Sequence, residues 1–468
     1  MRWFKKMIGN WFGGNIGARR VRPLSMGANV ALSDADFERE VVRNQIWYRG
    51  NAAELASFYG LTDDMAGNTS FWAQGGRNAK IRKIHSGLPA LIVDTLCDIT
   101  LGDFLGVRVS GCGQKVWDEI ACANGFERML ATALKKALAI GDGAFKISFD
   151  AEVSPYPIIE FFGGDAVRFN YQRGQVCEVV FVKPHDSVVL EEVYCKDAVR
   201  YRLANDRGEE VLGAKPADVE HGLSLNLAVP LIFDDNPKAE GRGKSIFDSK
   251  IGAFDALDEI ISQWVDALRD GRVQKYVPVG LLPRNPHNGA LQIMGSFETR
   301  FVQTEMDLAE GADNSIKVVQ PAIDTHAYEA SYSNFLMLAL QGIIAPATLG
   351  IDIKRGENAT AQREREKATL YTRSKIIDGL RGSVVQLVKA VMALHYALQG
   401  GADAAEHEVQ VEFGEYAAPT FDAQIDTVGR AVGYGIMSHE TAVQELYGDT
   451  WTDAQKKEEV ERLRRNYA

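Results

Sequence analysis

A glycine-lysine-serine sequence at Gly243, Lys244 and Ser245 is the stretch most similar to a nucleotide-binding motif in this chain of 468 residues. A P-loop uses such a lysine and hydroxyl, at the start of a helix, to hold phosphates and magnesium. The motif also needs a glycine five positions before the glycine-lysine pair, where this chain has Lys238, and a buried strand before it, where residues 234–237 predict a loop. The stretch is more typical of a loop followed by a helix N-cap. The alternative interpretation is that the stretch is a degenerate P-loop and that the chain is a nucleotide-dependent enzyme using Gly243–Ser245.

Other residue types that perform catalysis occur without their motifs. The stretch Gly141, Asp142 and Gly143 lacks the third glycine of a dinucleotide-binding loop and precedes a predicted strand, so it is more typical of a turn. His85 is a lone histidine, and no HExxH sequence is present. The five cysteines form no CxxC pair, which indicates neither a zinc site nor a disulfide framework. We therefore expect no enzyme activity, no catalytic residue, no cofactor and no metal site.

Carboxylates form the most regular pattern of charged residues. A helix is predicted from Ser245, an N-cap residue with Asp248 three positions on, to Gly271. Its acidic residues recur at steps of seven and four, which places them on one face: Asp248, Asp255, Glu259, Asp266 and Asp270. Its apolar residues form the opposite stripe: Phe247, Ile251, Phe254, Leu257, Ile261, Trp264 and Leu268. We expect one packed face and one solvated acidic face.

This helix begins a hairpin around which the chain is organised. Short β-type runs at 276–282, 299–305 and 315–319 predict a small strand-rich insert within 273–323. A return helix is predicted at 326–342, with breaks at Pro346 and Gly350. A third helix is predicted from 358 to 398, with Gly379 and Gly382 marking a bend.

The remaining elements predict an α+β domain before the hairpin and a small helical region after it. Helices are expected at 37–59, 88–101 and 116–140, with a loop at 60–77. Strands are expected at 144–149, 158–162, 167–169, 176–182 and 188–201, with a hairpin turn at Arg173 and Gly174. After the third helix we expect a strand at 409–413, helices at 421–435 and 438–447, and a last helix capped by Thr452 and Gln455.

Charge is distributed unevenly. The net charge of −11 argues against a protein that grips nucleic acid through its phosphates. Residues 1–33 nevertheless carry six basic and no acidic side chains and could form a basic amphipathic helix. Such a helix would dock on a partner or on an acidic surface, or would attach the chain to a membrane surface, and a partly ordered terminus is the equal alternative. Basic residues near the start of the third helix, including Lys354 and Arg355, alternate with glutamates, which favours a solvated or intersubunit face over direct phosphate contact.

The run 330–351 has no charged residue, but polar residues, glycine and proline interrupt it, so its apolar stretch is too short to span a membrane.

Three stretches resemble the portal proteins of tailed bacteriophages, which form the head-to-tail connector. Residues 47–96 carry WYRGNAAELASFY, FW and RKIHSGLPALIVDTL, similar to the start of the wing domain. Residues 243–272, GKSIFDSKIGAFDALDEIISQWVDALRDGR, resemble the first stem helix. Residues 346–373, PATLGIDIKRGENATAQREREKATLYTR, resemble the tunnel loop and long helix of one portal subfamily and are the most specific match.

The resemblance implies a portal-type division of the chain. It implies an N-terminal arm at 1–36, a wing at 37–240, stem helices at 241–271 and 326–342, and a clip at 272–325. It further implies a tunnel loop at 343–358, a long kinked helix with the rest of the wing at 359–414, and a short crown region at 415–468.

The resemblance also implies a function and partners. It implies a virion protein, assembled in the bacterial cytoplasm, that forms a ring of about twelve copies at one capsid vertex. Double-stranded DNA would pass through its channel without sequence specificity during packaging and ejection. The implied partners are the terminase large subunit, the major capsid and scaffolding proteins and the head-tail adaptor. The side chains expected to line the channel are Asp255, Glu259, Asp266, Lys354 and Arg355.

Overall fold

The computed structural model describes most of the chain between residues 34 and 467. The described residues are 34–66, 70–73, 81–185, 188–205, 210–211, 215–278, 287, 300–304, 315–351, 359–400, 407–414, 421–447 and 451–467. The predicted basic amphipathic helix, Lys354 and Arg355 lie outside them. Within them the chain mixes helix and sheet, in agreement with the α+β class predicted from the sequence.

The first helical segment is two helices rather than one. α1 spans Asp34–Arg49 and α2 spans Ala52–Ala66. Gly50, with a φ of 65°, ends the first helix, and the Asn51 side chain accepts a hydrogen bond from the amide of Ala53. The predicted single helix at 37–59 and the loop from residue 60 are therefore wrong, because a left-handed glycine and a capping asparagine separate two helices.

Three further helices precede the sheets. α3 spans Leu88–Leu101, as predicted, α4 spans Gly113–Asn124 and α5 spans Phe126–Ile140. Gly125, with a φ of 56°, divides the segment that the sequence predicted as one helix. α5 is buried along Leu130, Leu134 and Leu138, and it packs against α3, β2 and β3. These helices form the centre of the hydrophobic core.

Two antiparallel sheets follow these helices in the chain, and the first of them packs on the helices. β2 (Asp142–Ser148) lies between β3 (Ile158–Gly163) and β9 (Ala228–Ile232) in an antiparallel sheet. The second sheet is an antiparallel meander whose members are β4 (Val167–Gln172), β5 (Gln175–His185), β6 (Val188–Tyr194), β7 (Ala198–Ala204) and β8 (Val219–Glu220). The predicted turn at Arg173 and Gly174 joins β4 to β5, with positive φ at both residues. The single run predicted at 188–201 is divided into β6 and β7.

A two-stranded sheet joins distant parts of the chain. β1 (Phe104–Val109), which the sequence patterns did not predict, pairs antiparallel with β13 (Val409–Phe413), which they did. The C-terminal helices α9 (Phe421–Gly433), α10 (His439–Tyr447) and α11 (Asp453–Tyr467) follow. The amide of Thr452 donates to the Gln455 side chain before α11, as a capping box predicts.

The hairpin consists of α6 (Ile251–Asp270), a strand tip and α7 (Thr325–Leu340). The strand tip is a three-stranded sheet in the order β11-β10-β12, formed by Gln274–Pro278 (β10), Arg300–Thr304 (β11) and Lys317–Val319 (β12). These strands lie at the three predicted β-type runs. α6 begins six residues later than predicted. Ser245 caps a preceding turn instead, because its Oγ accepts from the Phe247 amide while the Asp248 carboxylate accepts from the Ser245 amide.

The third helix, α8, is a continuous helix of 40 residues, Ala359–Leu398. A single-turn 3-10 helix, Pro346–Leu349, and Gly350 with a φ of 70° precede it, in agreement with the predicted break. The position of Gly379 is explained by packing, because a Cβ there would lie 2.7 Å from Cδ1 of Phe233. A side chain at this position would therefore push α8 away from the end of β9.

Candidate functional site at the root of the hairpin

The segment similar to a P-loop is engaged in internal hydrogen bonds. The amide of Gly243 donates to Asp142 Oδ2 at 2.8 Å, and the amide of Lys244 donates to the carbonyl of Asp234 at 2.8 Å. The amide of Ser245 donates to Asp248 Oδ2 at 3.1 Å. A P-loop holds phosphate through such free amides. With these donors bonded to the protein, the segment is not arranged as a phosphate cradle.

The two glycine-rich stretches pack on each other. A Cβ on Gly141 would lie 2.9 Å from the Gly243 carbonyl carbon, and one on Gly243 would lie 2.8 Å from the Cβ of Asp142. Asp142, fully buried at the start of β2, forms an ion pair with Arg242 at 2.8 Å. The prediction that Asp142 belongs to a turn is therefore wrong. The two stretches therefore cross each other in the protein interior, and this crossing joins the start of β2 to the segment that precedes α6.

Arg242 completes this crossing. Its guanidinium also donates to the carbonyl oxygens of Gly164 and Val167, and it lies over the rings of Phe37 and Phe169 at 4.1 and 5.4 Å. A bidentate guanidinium that also donates to carbonyls satisfies the buried carboxylate. The cation thus connects α1, the turn between β3 and β4, and the segment before α6.

We predict that Lys244→Ala leaves stability unchanged within about 0.5 kcal/mol, because only its backbone amide bonds to the protein here. Urea unfolding and nucleotide binding, measured by calorimetry, check this. Gly243→Ala is the matched control and should destabilise the chain, since its Cβ has no space beside Gly141. Nucleotide binding by the wild-type chain that Lys244→Ala abolishes would contradict the prediction and restore the P-loop hypothesis.

A buried carboxylate, Asp258, is the centre of the contact between α6 and the N-terminal part of the chain. Its side chain is fully buried and accepts from Nδ1 of His85 at 2.7 Å and from the amide of Ser86 at 2.8 Å. The indole N–H of Trp72 donates to it at 3.3 Å. The carboxylate thus holds two chain segments, 70–73 and 81–87, which we call the strap.

Neighbouring residues of α6 hold the same strap. Asp255 Oδ2 accepts from the amide of Phe71 at 2.9 Å, and Ser262 Oγ accepts from the amide of Ile84 at 2.9 Å. Lys83 folds back and donates to the carbonyls of Phe71 and Trp72 at 2.7 and 2.6 Å. These α6 positions lie at steps of three and four, so one helix face carries all the acceptors. Three backbone amides of the strap, together with the side chains of Trp72 and His85, attach it to this helix face.

The acidic stripe predicted for α6 is therefore only partly solvated. Asp248 is turned to α1, where it accepts from Asn44 at 3.1 Å and lies 3.4 Å from Arg43. Asp255 is turned to the strap, and its Oδ1 is buried. The expectation that five carboxylates share a free face is wrong for these two, because strap and α1 donors cover them. Glu259 and Asp266 are half-buried and Asp270 is exposed.

Sequence reasoning missed Asp258, although a signal for it exists. The residue follows Leu257 inside the apolar stripe and lies one turn after Phe254, so a carboxylate interrupts a face that must be buried. A buried carboxylate requires donors, and His85 was the one residue of the strap singled out from the sequence. Its ring is buried between Trp47 and Trp72, at 5.4 and 6.3 Å, as expected for a structural histidine.

The environment of Asp255 predicts a dependence of stability on pH. Burial raises the pKa of Asp255 to about 6, although hydrogen bonding from the Phe71 amide opposes the rise. The folded chain therefore holds this proton more tightly than the unfolded chain, and stability falls as pH rises from about 4 through 6. Relative to Asp255→Asn, the wild type should lose about 2–3 kcal/mol between pH 4 and 7. Urea unfolding at each pH measures this difference, and parallel pH profiles would refute it.

The outer half of the hairpin, away from this root, buries no side chains. Residues 263–270 of α6 and 325–335 of α7 contain no buried residue. The two helices meet there through a stack of Trp264 on Tyr328, with ring centroids 5.9 Å apart and planes 6° from parallel. Large apolar side chains are exposed along the hairpin, with Leu268 at 51%, Met337 at 56% and Leu338 at 48%. The hairpin thus has an apolar surface that a single chain leaves uncovered.

The described residues contain no group of three or more metal-ligating side chains arranged around a common point. None of the described helices has the length and apolar character needed to cross a membrane.

Comparison with known proteins gives only distant structural likenesses. No family model matches the chain, and no curated protein matches it. One similar solved chain comes from the "Virion of native gene transfer agent (GTA) particle", with 12% identity and a TM-score of 0.39 over 80% of this chain and 89% of that one. Another comes from the "Neck of native GTA particle computed with C12 symmetry", with 14% identity and a TM-score of 0.38 over 82% and 94%. At these scores the likenesses carry no conclusion about function.

Proposed function

We propose that this chain is the portal subunit of a tailed-phage-like particle. In this role it forms a ring at one capsid vertex, provides a channel for double-stranded DNA and docks the packaging motor and later the tail connector. The observation that carries the proposal is the hairpin. Its outer half is a pair of helices, tipped by a small sheet, that buries no side chain within one chain.

Such a hairpin requires neighbours. Two helices that bury only a shared seam leave most of their apolar surface in water, so their stability must come from another surface. α7 supports an interface by its composition, because no charged residue occurs from Ala330 to Ile351 although much of α7 is exposed. Interface cores are depleted of charge in the same way.

A ring supplies that neighbour to every copy. When the surface on one side of the hairpin meets a different surface of the next copy, the contact repeats head to tail and closes if the rotation is right. The number of about twelve copies follows from the family resemblance. The strand tip then forms one end of the assembly, the place at which we propose that terminase and the head-tail adaptor dock.

The channel lining is proposed from the remaining carboxylates. Glu259 and Asp266 lie on α6 and are half-buried in the single chain, whereas Asp255 is held by the strap. A repeated ring of carboxylates repels phosphates and keeps DNA from binding to the wall. Lys354 and Arg355 remain candidates for contact with DNA.

We propose no enzyme activity and no cofactor for the chain. The bonded amides at 243–245 argue against the nucleotide-dependent enzyme. The peripheral membrane alternative depends on the N-terminal arm, and flotation with liposomes tests it.

Light scattering after size exclusion, with electron microscopy of the same fractions, tests the proposal. We expect a closed ring with a central channel. A strictly monomeric chain at all protein and salt concentrations would contradict it.

A further inference from the structure

An apolar groove lies between β1, α4 and the start of α5. It has a volume of about 850 Å³, within the range of binding sites in proteins. Its lining includes Trp117 and Phe126, which are buried, and Leu105, whose side chain is 71% exposed. Cys122 of α4 is exposed in the same lining. The groove therefore presents apolar surface that an occupant would cover.

The outer edge of β1 is already bonded in this groove. The amide of Val109 donates to Gln114 Oε1 at 2.7 Å, and Gln114 Nε2 donates to the carbonyl of Val107 at 3.1 Å. A side-chain amide thus takes the place of a neighbouring strand. An added β-strand would have to displace it, so the groove is better suited to the apolar side chains of a helix.

The charges of the groove favour a basic occupant. Two carboxylates and two guanidinium groups line it: Asp118, Glu127, Arg108 and Arg128. Glu412 forms an ion pair with Arg108 at 2.8 Å, so three carboxylates stand against two cations. A segment that brings only basic side chains is therefore attracted to this surface, while an acidic segment is repelled.

The N-terminal arm contains a basic segment with one apolar face. In this face Phe4, Ile8 and Trp11 occur at steps of four and three, which is the pattern of a helix that binds in a groove. The basic residues of the same stretch lie between these positions: Arg2, Lys5 and Lys6. The six basic residues of 1–33 leave a net charge of −17 on the rest of the chain, since the total is −11. The arm is thus opposite in charge to the remainder of its own chain.

The arm is long enough to reach the groove. Phe37 of α1 and Ile140, the last residue of α5, belong to one small buried cluster. The arm therefore joins the fold beside the C-terminal end of α5, and the groove lies at the other end, about 21 Å away along this helix of 15 residues. Residues 13–33 separate the apolar face from α1, and a segment of this length can span about 70 Å.

We propose that residues 3–12 bind in this groove of their own chain, with their apolar face on its lining and their lysines near Asp118 and Glu127. The proposal goes beyond the portal function, because the arm and the groove belong to one chain and need no ring. It gives the arm a partner that covers its apolar face. An arm bound in this way does not attach the chain to a membrane.

Alkylation of the cysteines in the full chain, followed by mass spectrometry, tests the proposal. Cys122 lies in the groove, whereas Cys112 is exposed just before α4 and is not part of the lining. With the arm bound, iodoacetamide should modify Cys122 at least about tenfold more slowly than Cys112.

Variants of the arm and of the groove should remove this protection. Phe4→Ser combined with Trp11→Ser removes two of the three anchors, and Leu105→Arg places a cation in the groove at a side chain that is mostly exposed. Both variants should raise the alkylation rate of Cys122 to that of Cys112. Val21→Ser changes an arm residue outside the apolar face, and this matched control should keep the protection.

A disulfide identifies the chain that supplies the arm. In an Ile8→Cys variant, mild oxidation should join position 8 to Cys122 within one chain, and the product should keep the mass of a single chain on a non-reducing gel. A product with the mass of two chains would assign the groove to the arm of a neighbouring copy and overturn the proposal.

Two further results would overturn it. Equal alkylation of Cys122 in the wild type and in the two unprotected variants would show that the groove is open. Flotation of the wild type with vesicles that contain phosphatidylserine, with Cys122 still fully reactive, would assign the arm to a membrane surface. Chains that never form rings would contradict the proposed function alone, because single chains give every readout of this inference.

Discussion

Asp258→Ala should lower the free energy of unfolding by about 3–5 kcal/mol, the range for removal of one partner from a buried charged network. The substitution leaves the indole N–H of Trp72, Nδ1–H of His85 and the amide of Ser86 without their acceptor. Each of these donors is enclosed by the strap and α6, so water does not replace the carboxylate without rearrangement. Equilibrium urea unfolding followed by tryptophan fluorescence measures the loss, because Trp72 itself reports on the cluster.

Two variants control this result. Asp258→Asn keeps one acceptor oxygen and should lose less stability than Asp258→Ala. Asp266→Ala removes a half-buried carboxylate two turns further along α6 and should change stability by no more than about 0.5 kcal/mol. Equal losses at positions 258 and 266 would show that the strap is not attached through Asp258.

If the chain forms the proposed ring, Met337→Glu combined with Leu338→Glu should convert that ring into free subunits. Both side chains are about half-exposed in the single chain, so the fold tolerates carboxylates there. Each interface of the proposed ring would lose about 1 kcal/mol per apolar side chain, since only the exposed half of each remains to be covered, and would bury carboxylates without partners. The loss recurs at every interface, which makes the effect on assembly large. Light scattering measures the mass of the species formed.

The fold of this variant must be shown to be intact. Its circular dichroism and urea midpoint should match those of the wild type, and the Lys250 ammonium keeps its bond to the carbonyl of Leu338. Val153→Glu, at an exposed turn between β2 and β3, serves as the matched substitution and should still form rings. Normal rings from the double variant would exclude this face of α7 from the interface.

Local spacing was sufficient to predict the order of elements along most of the chain. The helix α3, the strand β13 and the turn at Arg173 and Gly174 occur where periodicity and turn residues indicate them. The hairpin with its strand tip, and the long helix after Gly350, were predictable for the same reason. Periodicity is a property of a dozen neighbouring residues, so it needs no knowledge of the partner that covers the apolar face.

Helix boundaries at glycines were less predictable. Gly50 and Gly125 each adopt a positive φ and divide what the sequence patterns indicated as one helix. Gly379 and Gly382 are of the same residue type, yet α8 continues through both. A glycine permits a break without requiring one, and packing against neighbouring segments decides which occurs.

The sequence by itself determined which residues of α6 are acidic and which are apolar, and that they repeat at helical steps. Only the tertiary structure decided that Asp248 and Asp255 face donors from α1 and the strap, while Asp270 faces water. The same holds for the pairing of β1 with β13 across some three hundred residues. The physical reason is that a carboxylate's environment and a strand's partner depend on segments far away in sequence, whose approach no local period encodes.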